Sequence, residues 1–280
     1  MNFDVRLRGV CRAVVVVAVG GPLAALGTAQ DRADPDGAEA RIEGLRDRDV
    51  QARRSAAAAI RSSDRSVQRD ALPALIELLM TEKDGQVRLA VFDAVTALGH
   101  DAAQAVPALV HTLRTDYGGQ GKEETHQDYR AALALAAVGE PAVEGLRGLL
   151  GGSKEGVRAE AAMGLGRIGP DAGAAVADLI LILGDQSERV RREASVALGR
   201  IGTIAVEPLI TASGHQDAVV RAGAVQSLGH VSPPGEQVRR AVLAATHDAA
   251  PEVRAAAVRS LSGLALPDEA LLPAPGRTSP

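Results

Sequence analysis

Apolar residues fall at Val190, Ala194, Leu198 and Ile201, in steps of four, four and three, with charged and small residues between them. That is the 3.6-residue period of a helix with one apolar side. The stretch VRREASVALGRIG returns as VRAEAAMGLGRIG from Val157, VRAGAVQSLGHV from Val220 and VRAAAVRSLSGL from Val253. Its late leucine stands at Leu165, Leu198, Leu228 and Leu261, at intervals of 33, 30 and 33 residues. Glycine follows that leucine in most copies (Gly99, Gly166, Gly199, Gly229) and recurs at Gly139, Gly169 and Gly202, where it ends the helix and turns the chain. A second apolar pattern comes next, AVPALVHTL at Ala105, AAVADLILIL at Ala174 and AVEPLIT at Ala205. Each period therefore predicts a helical hairpin. A lone hairpin cannot cover both its apolar sides, so neighbours must stack. The expected fold is all-α, a right-handed α-solenoid of about six to seven hairpins.

The remaining segments place the array at 49–266. Residues 30–37 read as a flexible lead-in, and Ala38 to Asp47, with Ile42 and Leu45 three apart, as a short cap. VQARRSAAAAI is a degenerate first copy, with Ile60 in the leucine place. Its partner helix is expected over Ala71 to Met80, with Pro73 near the start, where a missing N–H costs little. In VRLAVFDAVTALG, taking Leu98 as the late leucine leaves three extra residues, close to one more turn. The third copy is weak, with Asp128 in the arginine place. The glycine-rich 116–127 reads as a loop insertion on one face, and 267–280 as a loose tail.

Aromatic residues are only 1% of the chain against 46% hydrophobic, so the core must be Ala, Val, Leu and Ile on closely approaching helices. A net charge of −4 and so few rings for bases to stack on argue against nucleic acid. Basic residues are nearly all arginine, lysine occurring only at 83, 122 and 154. Arg6, Arg8 and Arg12, the apolar run from Ala13 to Leu26 and the small residues Gly27 to Ala29 have the form of a secretory signal peptide cut after Ala29. The run is shorter than a spanning helix and holds Gly20, Gly21 and Pro22. A secreted or periplasmic protein is expected. The single Cys11 lies in that segment and leaves no disulfide to form.

The repeated VR, alanine pair, LG and IG, with proline heading several second helices, resemble the HEAT repeat family, in particular the short HEAT-like repeats of the bilin-lyase type. The resemblance implies a solenoid that binds a protein or peptide. It also implies, as an alternative, bilin-lyase-like or chaperone-lyase activity. In such repeats an inter-repeat aspartate accompanies the arginine four residues on, as Asp49 with Arg53, Asp84 with Arg88 and Asp217 with Arg221 do here. Lys154, Ser187 and Ala250 occupy the aspartate place elsewhere and would interrupt the ladder.

Two columns are candidate partner surfaces. Arg61, His100, Arg167, Arg200 and His230 are read as the position two after the late leucine and would stack into a basic column for an anion or acidic partner. The plainer reading is that cations favour the negative end of each helix, by about 0.3–1 kcal/mol apiece. On the second helices Glu77, His111, Gly148, Leu181 and Thr211 form the other column, and the run LILIL holds more apolar residues than a one-sided helix needs, so Leu181 is expected to be exposed. An exposed leucine can also be ordinary.

No histidine is followed by glutamate and no HExxH occurs. His215 and His247, near Asp217 and Asp248, are the one pairing that could share a metal; Glu123, Glu124 and His126 could do acid–base chemistry only if a pocket formed around them. No catalytic residue and no cofactor are expected, and a metal-binding module is a further alternative.

Overall fold

The computed structural model describes residues 35–115 and 122–264. Among these it is helical, without strands. The elements are α1 (Pro35–Gly44), α2 (Val50–Ser62), α3 (Arg65–Thr81), α4 (Gly85–Leu98), α5 (Val106–Arg114), α6 (Lys122–Val138), α7 (Val143–Arg147), α8 (Glu155–Ile168), α9 (Val176–Leu181), α10 (Glu188–Ile201), α11 (Thr203–Ala212), α12 (Ala218–His230), α13 (Glu236–Ala245) and α14 (Pro251–Gly263). Even-numbered helices stack on one another as one layer and odd-numbered helices as a second, so the fold is an α-solenoid. One apolar seam, from Leu45 to Leu264, fills the space between the layers.

The even layer packs closely because its facing side chains are small. Ala94, Ala134, Gly164, Ala197, Ser227 and Ser260 occupy equivalent places, each turned toward the preceding even helix. The bonds from Ser227 Oγ to Ser195 Oγ (3.2 Å) and from Ser260 Oγ to the Val225 carbonyl (3.2 Å) mark that contact. The approach is close at three glycines, and a methyl group on Gly229 would lie 2.5 Å from Ser260 Oγ. A methyl group on Gly166 would lie 2.7 Å from Ala197 Cα, and one on Gly199 would lie 2.2 Å from His230 Cβ. No larger residue fits at either place without parting the helices.

Four of the even helices start on a side-chain cap, whereas α8 at Lys154 and α14 at Ala250 have none. Asp49, Asp84, Ser187 and Asp217 accept first-turn N–H groups, so one orphan donor or more is satisfied at each start. Gly99, Gly139, Gly169 and Gly202 close α4, α6, α8 and α10 with φ of 58°, 85°, 75° and 81°, a region open to glycine and costly for other residues. The chain then enters the odd helix, after α4, α6 and α8 through a 3₁₀ turn.

Several sequence expectations are corrected here. α4 has 14 residues, as α8 and α10 do, so the second copy holds no extra turn. The Leu98–Gly99 pair occupies the place of Ile168–Gly169, which makes Val95 the counterpart of Leu165. α3 begins at Arg65, capped by Asp64, and Pro73 lies in its interior instead of near its start. α1 begins at Pro35, inside the stretch expected to be flexible. Half of the expected 116–127 loop is helix, since α6 starts at Lys122, while 116–121 lies outside the described residues. The leader 1–29 and the tail 267–280 lie outside them as well.

Candidate functional site

The register correction splits the basic column. His100 belongs to the 3₁₀ turn after α4, where its Nδ1–H donates to the Val138 carbonyl at 3.2 Å. Arg61 stands one residue after Ile60, not two, and turns sideways: it reaches Asp93 at 3.4 Å, and Arg130 reaches the same carboxylate at 2.7 Å. That bridge across α2, α4 and α6 was not expected. Arg167, Arg200 and His230 remain in register at the C-terminal ends of α8, α10 and α12.

These three are brought side by side by Gly166 and Gly199, whose missing side chains let the three helix ends close up. Arg167 meets no carboxylate among the described residues; Nε lies 3.1 Å from Met163 Sδ and Nη2 lies 3.5 Å from Tyr129 Oη. Arg200 makes no ion pair among the described residues. Partial burial, and then the charge of Arg200, hold His230 below the ordinary histidine range. Within the strip, the charge of Arg200 thus opposes protonation of His230.

The column on the odd helices is solvent-facing throughout: Glu77, His111, Gly148, Leu181 and Thr211 are all exposed. Leu181 is 76% exposed, while Ile180 and Ile182 beside it are half-buried against the core. His111 Nε2 lies 3.2 Å from Thr115 Oγ1, and Thr211 Oγ1 donates to the Glu207 carbonyl, so both polar residues bond within their own helices. Arg147 and Asp178 pair at 2.6 Å beside this column. Ile204, 54% exposed at the start of α11, was missed by sequence reasoning because its place in the repeat is otherwise polar or small.

The inter-repeat ladder is built differently from its expected form. Each aspartate four residues before an arginine is a helix cap, and Arg53 and Arg221 reach forward to the next turn, as Arg158 does. Arg158 Nε and Nη2 hold both oxygens of Asp185 at 2.7 and 2.9 Å, while Nη1 donates to the Gly152 and Ser153 carbonyls. Arg53 grips Glu82 in the same way, and Arg221 grips Asp248. The fourth copy, expected to break the ladder because of Lys154, thus supplies a rung. The Asp185 carboxyl is held low by the Arg158 bonds, and Asp248 by those from Arg221 and then the Ala250 N–H. Burial pushes Glu82 up, but Arg53 and the Asp84 N–H outweigh it. Glu160, buried against Arg189, is the opposite case, with burial raising its pKa above the usual range despite the ion pair.

Two open grooves occur among the best-formed. One of about 420 Å³ lies between α1 and α3, with Arg46 and Glu77 paired across it. The other, about 500 Å³, crosses α10, α12 and α14 over a floor of Ala222, Gly223 and Ala256. Among the described residues no three His, Cys, Asp or Glu side chains converge as metal ligands, and no helix is long and apolar enough to cross a membrane. His215 Nδ1 is occupied by the Asp217 N–H, and His247 Nδ1 lies 3.0 Å from Thr246 Oγ1.

The family model for HEAT repeats matches residues 38–127, 143–210 and 206–274, which is most of the chain. The chain belongs to the HEAT repeat family. No curated protein matches the sequence significantly. Among solved structures, the HEAT array is similar to the karyopherin Kap121p bound to the extreme C-terminus of the protein phosphatase Cdc14p, with TM-score 0.53 and 14% identity over 82% of this chain and 29% of that one. It is also similar to the CpcE–CpcF complex of phycocyanin lyase from Nostoc sp. PCC7120, with TM-score 0.44 and 20% identity over 93% and 96% of the two chains. An engineered protein gives TM-score 0.41 and 22% identity over 81% and 96%. At these identities the likeness is one of fold.

Proposed function

We propose that this HEAT array is an exported, non-enzymatic scaffold that binds an acidic segment of a partner protein along Arg167, Arg200 and His230. The observation that carries the reading is the packing at Gly166 and Gly199, which sets these three groups on adjoining helix ends, with no carboxylate paired to Arg167 or Arg200 among the described residues. A negative segment laid across the strip would offset the charge of Arg200 at His230 and gain charge-assisted hydrogen bonds, and a rigid array loses little freedom in making them. Binding would raise the depressed His230 pKa, so the complex gains strength as pH falls toward the histidine range. A second contact is favoured by the 76% exposure of Leu181, an apolar anchor on the odd-helix face.

The test is affinity capture from the envelope fraction of the producing organism, followed by titration of the partner recovered. Arg167→Glu with Arg200→Glu is expected to weaken binding at least tenfold, about 1.4 kcal/mol, and to lower its salt dependence. Leu181→Glu tests the second contact. A partner held equally by wild type and by both variants ends the proposal. A lyase would instead show itself by tetrapyrrole absorbance on the purified protein.

Export has its own check. N-terminal sequencing of protein recovered outside the cytoplasm should begin at Gln30, the residue after the expected cleavage site. A product that keeps Met1 removes that part of the proposal.

A further inference from the structure

Among the arginines at the rung position, Arg191 departs from the pattern of Arg53, Arg158 and Arg221. Arg191, on α10, donates Nη1 to the Asp185 and Gln186 carbonyls at 2.7 and 3.0 Å, as Arg158 and Arg221 do to the carbonyls of their own turns. Its Nε and Nη2 edge, which in Arg53, Arg158 and Arg221 grips a carboxylate, meets no acceptor among the described residues. The turn ahead holds His215 where the others hold Glu82, Asp185 and Asp248. His215 fills half of the carboxylate's role. Its Nδ1 accepts the Asp217 N–H at 3.0 Å, just as Asp185 accepts from Ser187 and Asp248 from Ala250, both at 2.8 Å. That bond leaves the proton of the neutral ring on Nε2. A place that elsewhere supplies a second acceptor oxygen to the arginine therefore supplies a donor.

We propose that Arg191 and His215 form a carboxylate-binding site, in which a carboxylate from outside the chain is received by the open Nε and Nη2 edge of Arg191 and by the His215 Nε2–H. A planar guanidinium edge receives two oxygens of a carboxylate in parallel, and the three intact rungs show that geometry in this same fold. Arg191 also lines the 500 Å³ groove over α10, α12 and α14, which gives a ligand its approach. The site is separate from the Arg167 strip, since Arg191 and Arg200 are nine residues apart on one helix, about 13 Å. The same molecule carries its own control in Arg254, whose Nη1 holds the Asp248 and Ala249 carbonyls but whose Nε and Nη2 meet no acceptor among the described residues and which has no histidine ahead of it there.

The experiment follows the arginine Nε–H signals of the full chain by NMR while two probes are added. One is succinate; the other is a terminally blocked peptide with a single aspartate. The Arg191 signal is expected to shift saturably with an affinity at least tenfold tighter than that seen at Arg254, with Arg158 and Arg221 unmoved. In His215→Asp, the Arg191 signal should start at the position of the paired arginines and no longer respond, and that variant should melt above wild type because the rung is closed internally. A response to the peptide alone assigns the site to a partner side chain, and equal responses assign it to a free carboxylic acid. The proposal is overturned if Arg191 responds no more than Arg254, or if His215→Asp keeps the wild-type response.

Discussion

Replacing Phe92 with alanine should destabilise the array by about 3–5 kcal/mol. Among the described residues Phe92 is the largest of the fully buried side chains and the lone aromatic in the core. It occupies the place where α2, α6, α8, α10 and α12 put Ala57, Ala132, Ala162, Ser195 and Val225, all of them buried on the side of the next even helix. The seam between α4 and α6 has therefore been fitted around a ring, while its neighbours are fitted around a methyl group or little more. Truncation leaves a void there that α6 can close only by moving relative to the 3₁₀ turn after α4. Because each hairpin contacts only its neighbours, the damage should divide the array. Urea unfolding should become biphasic, and hydrogen exchange should show α1 to α4 losing protection before α8 to α14. Phe92→Leu, which keeps most of the volume, should cost under about 1.5 kcal/mol. A single transition displaced by less than about 1 kcal/mol in Phe92→Ala would show that the seam can repack. In the last even helix the same place holds Val258, which is 62% exposed, since no described even helix follows it.

The repeating helix and its glycine stop could be read from the sequence because both are local: a 3.6-residue apolar period and a residue that accepts positive φ. What misled was also local. Leu98–Gly99 spells the same dipeptide as Leu165–Gly166, and only the φ of Gly99 shows that it belongs with Gly169. That one slip carried His100 into a column it does not join. The start of α3 was hidden because Asp64, its cap, is followed by polar residues before the apolar period begins. The Asp–Arg offset of four was a true regularity with a different cause, since the aspartates cap helices while the arginines act 27 to 29 residues ahead. Such a partner is close only after hairpins stack. Still, an acid two residues before the cap (Glu82, Asp185, Asp248) recurs in the sequence and could have pointed to it. The exposure of Leu181 followed from the surplus of apolar residues in LILIL, whereas the closing of the helix ends that carry Arg167, Arg200 and His230 depends on two glycines whose meaning is purely three-dimensional.

Arg158→Ala should cost about 3 kcal/mol, because removing one member of a buried, bidentate pair strands the other. The Arg158 and Asp185 side chains are only 16% and 9% exposed, and the guanidinium also ties down the carbonyls of the preceding turn. The pH dependence separates this loss from a packing defect. Asp185 and Asp248 are held below the ordinary carboxylate range, so the folded chain binds fewer protons there than the unfolded chain. Their stabilisation is complete above about pH 4 and is lost as pH falls through the depressed folded values. Glu82 adds to the same acid limb. Glu160 acts in the other direction: its raised pKa means that its contribution is greatest when protonated and declines as pH rises through the raised value toward neutrality. Urea midpoints measured from pH 7 down to pH 2 should therefore climb slightly and then fall in the wild type. In Arg158→Ala the fall below pH 4 should be shallower, because Asp185 returns toward its unfolded pKa, and in Glu160→Gln the climb should vanish. An acid limb in Arg158→Ala as steep as that of the wild type would show that the forward reach from one turn to the next is not what holds Asp185 ionised.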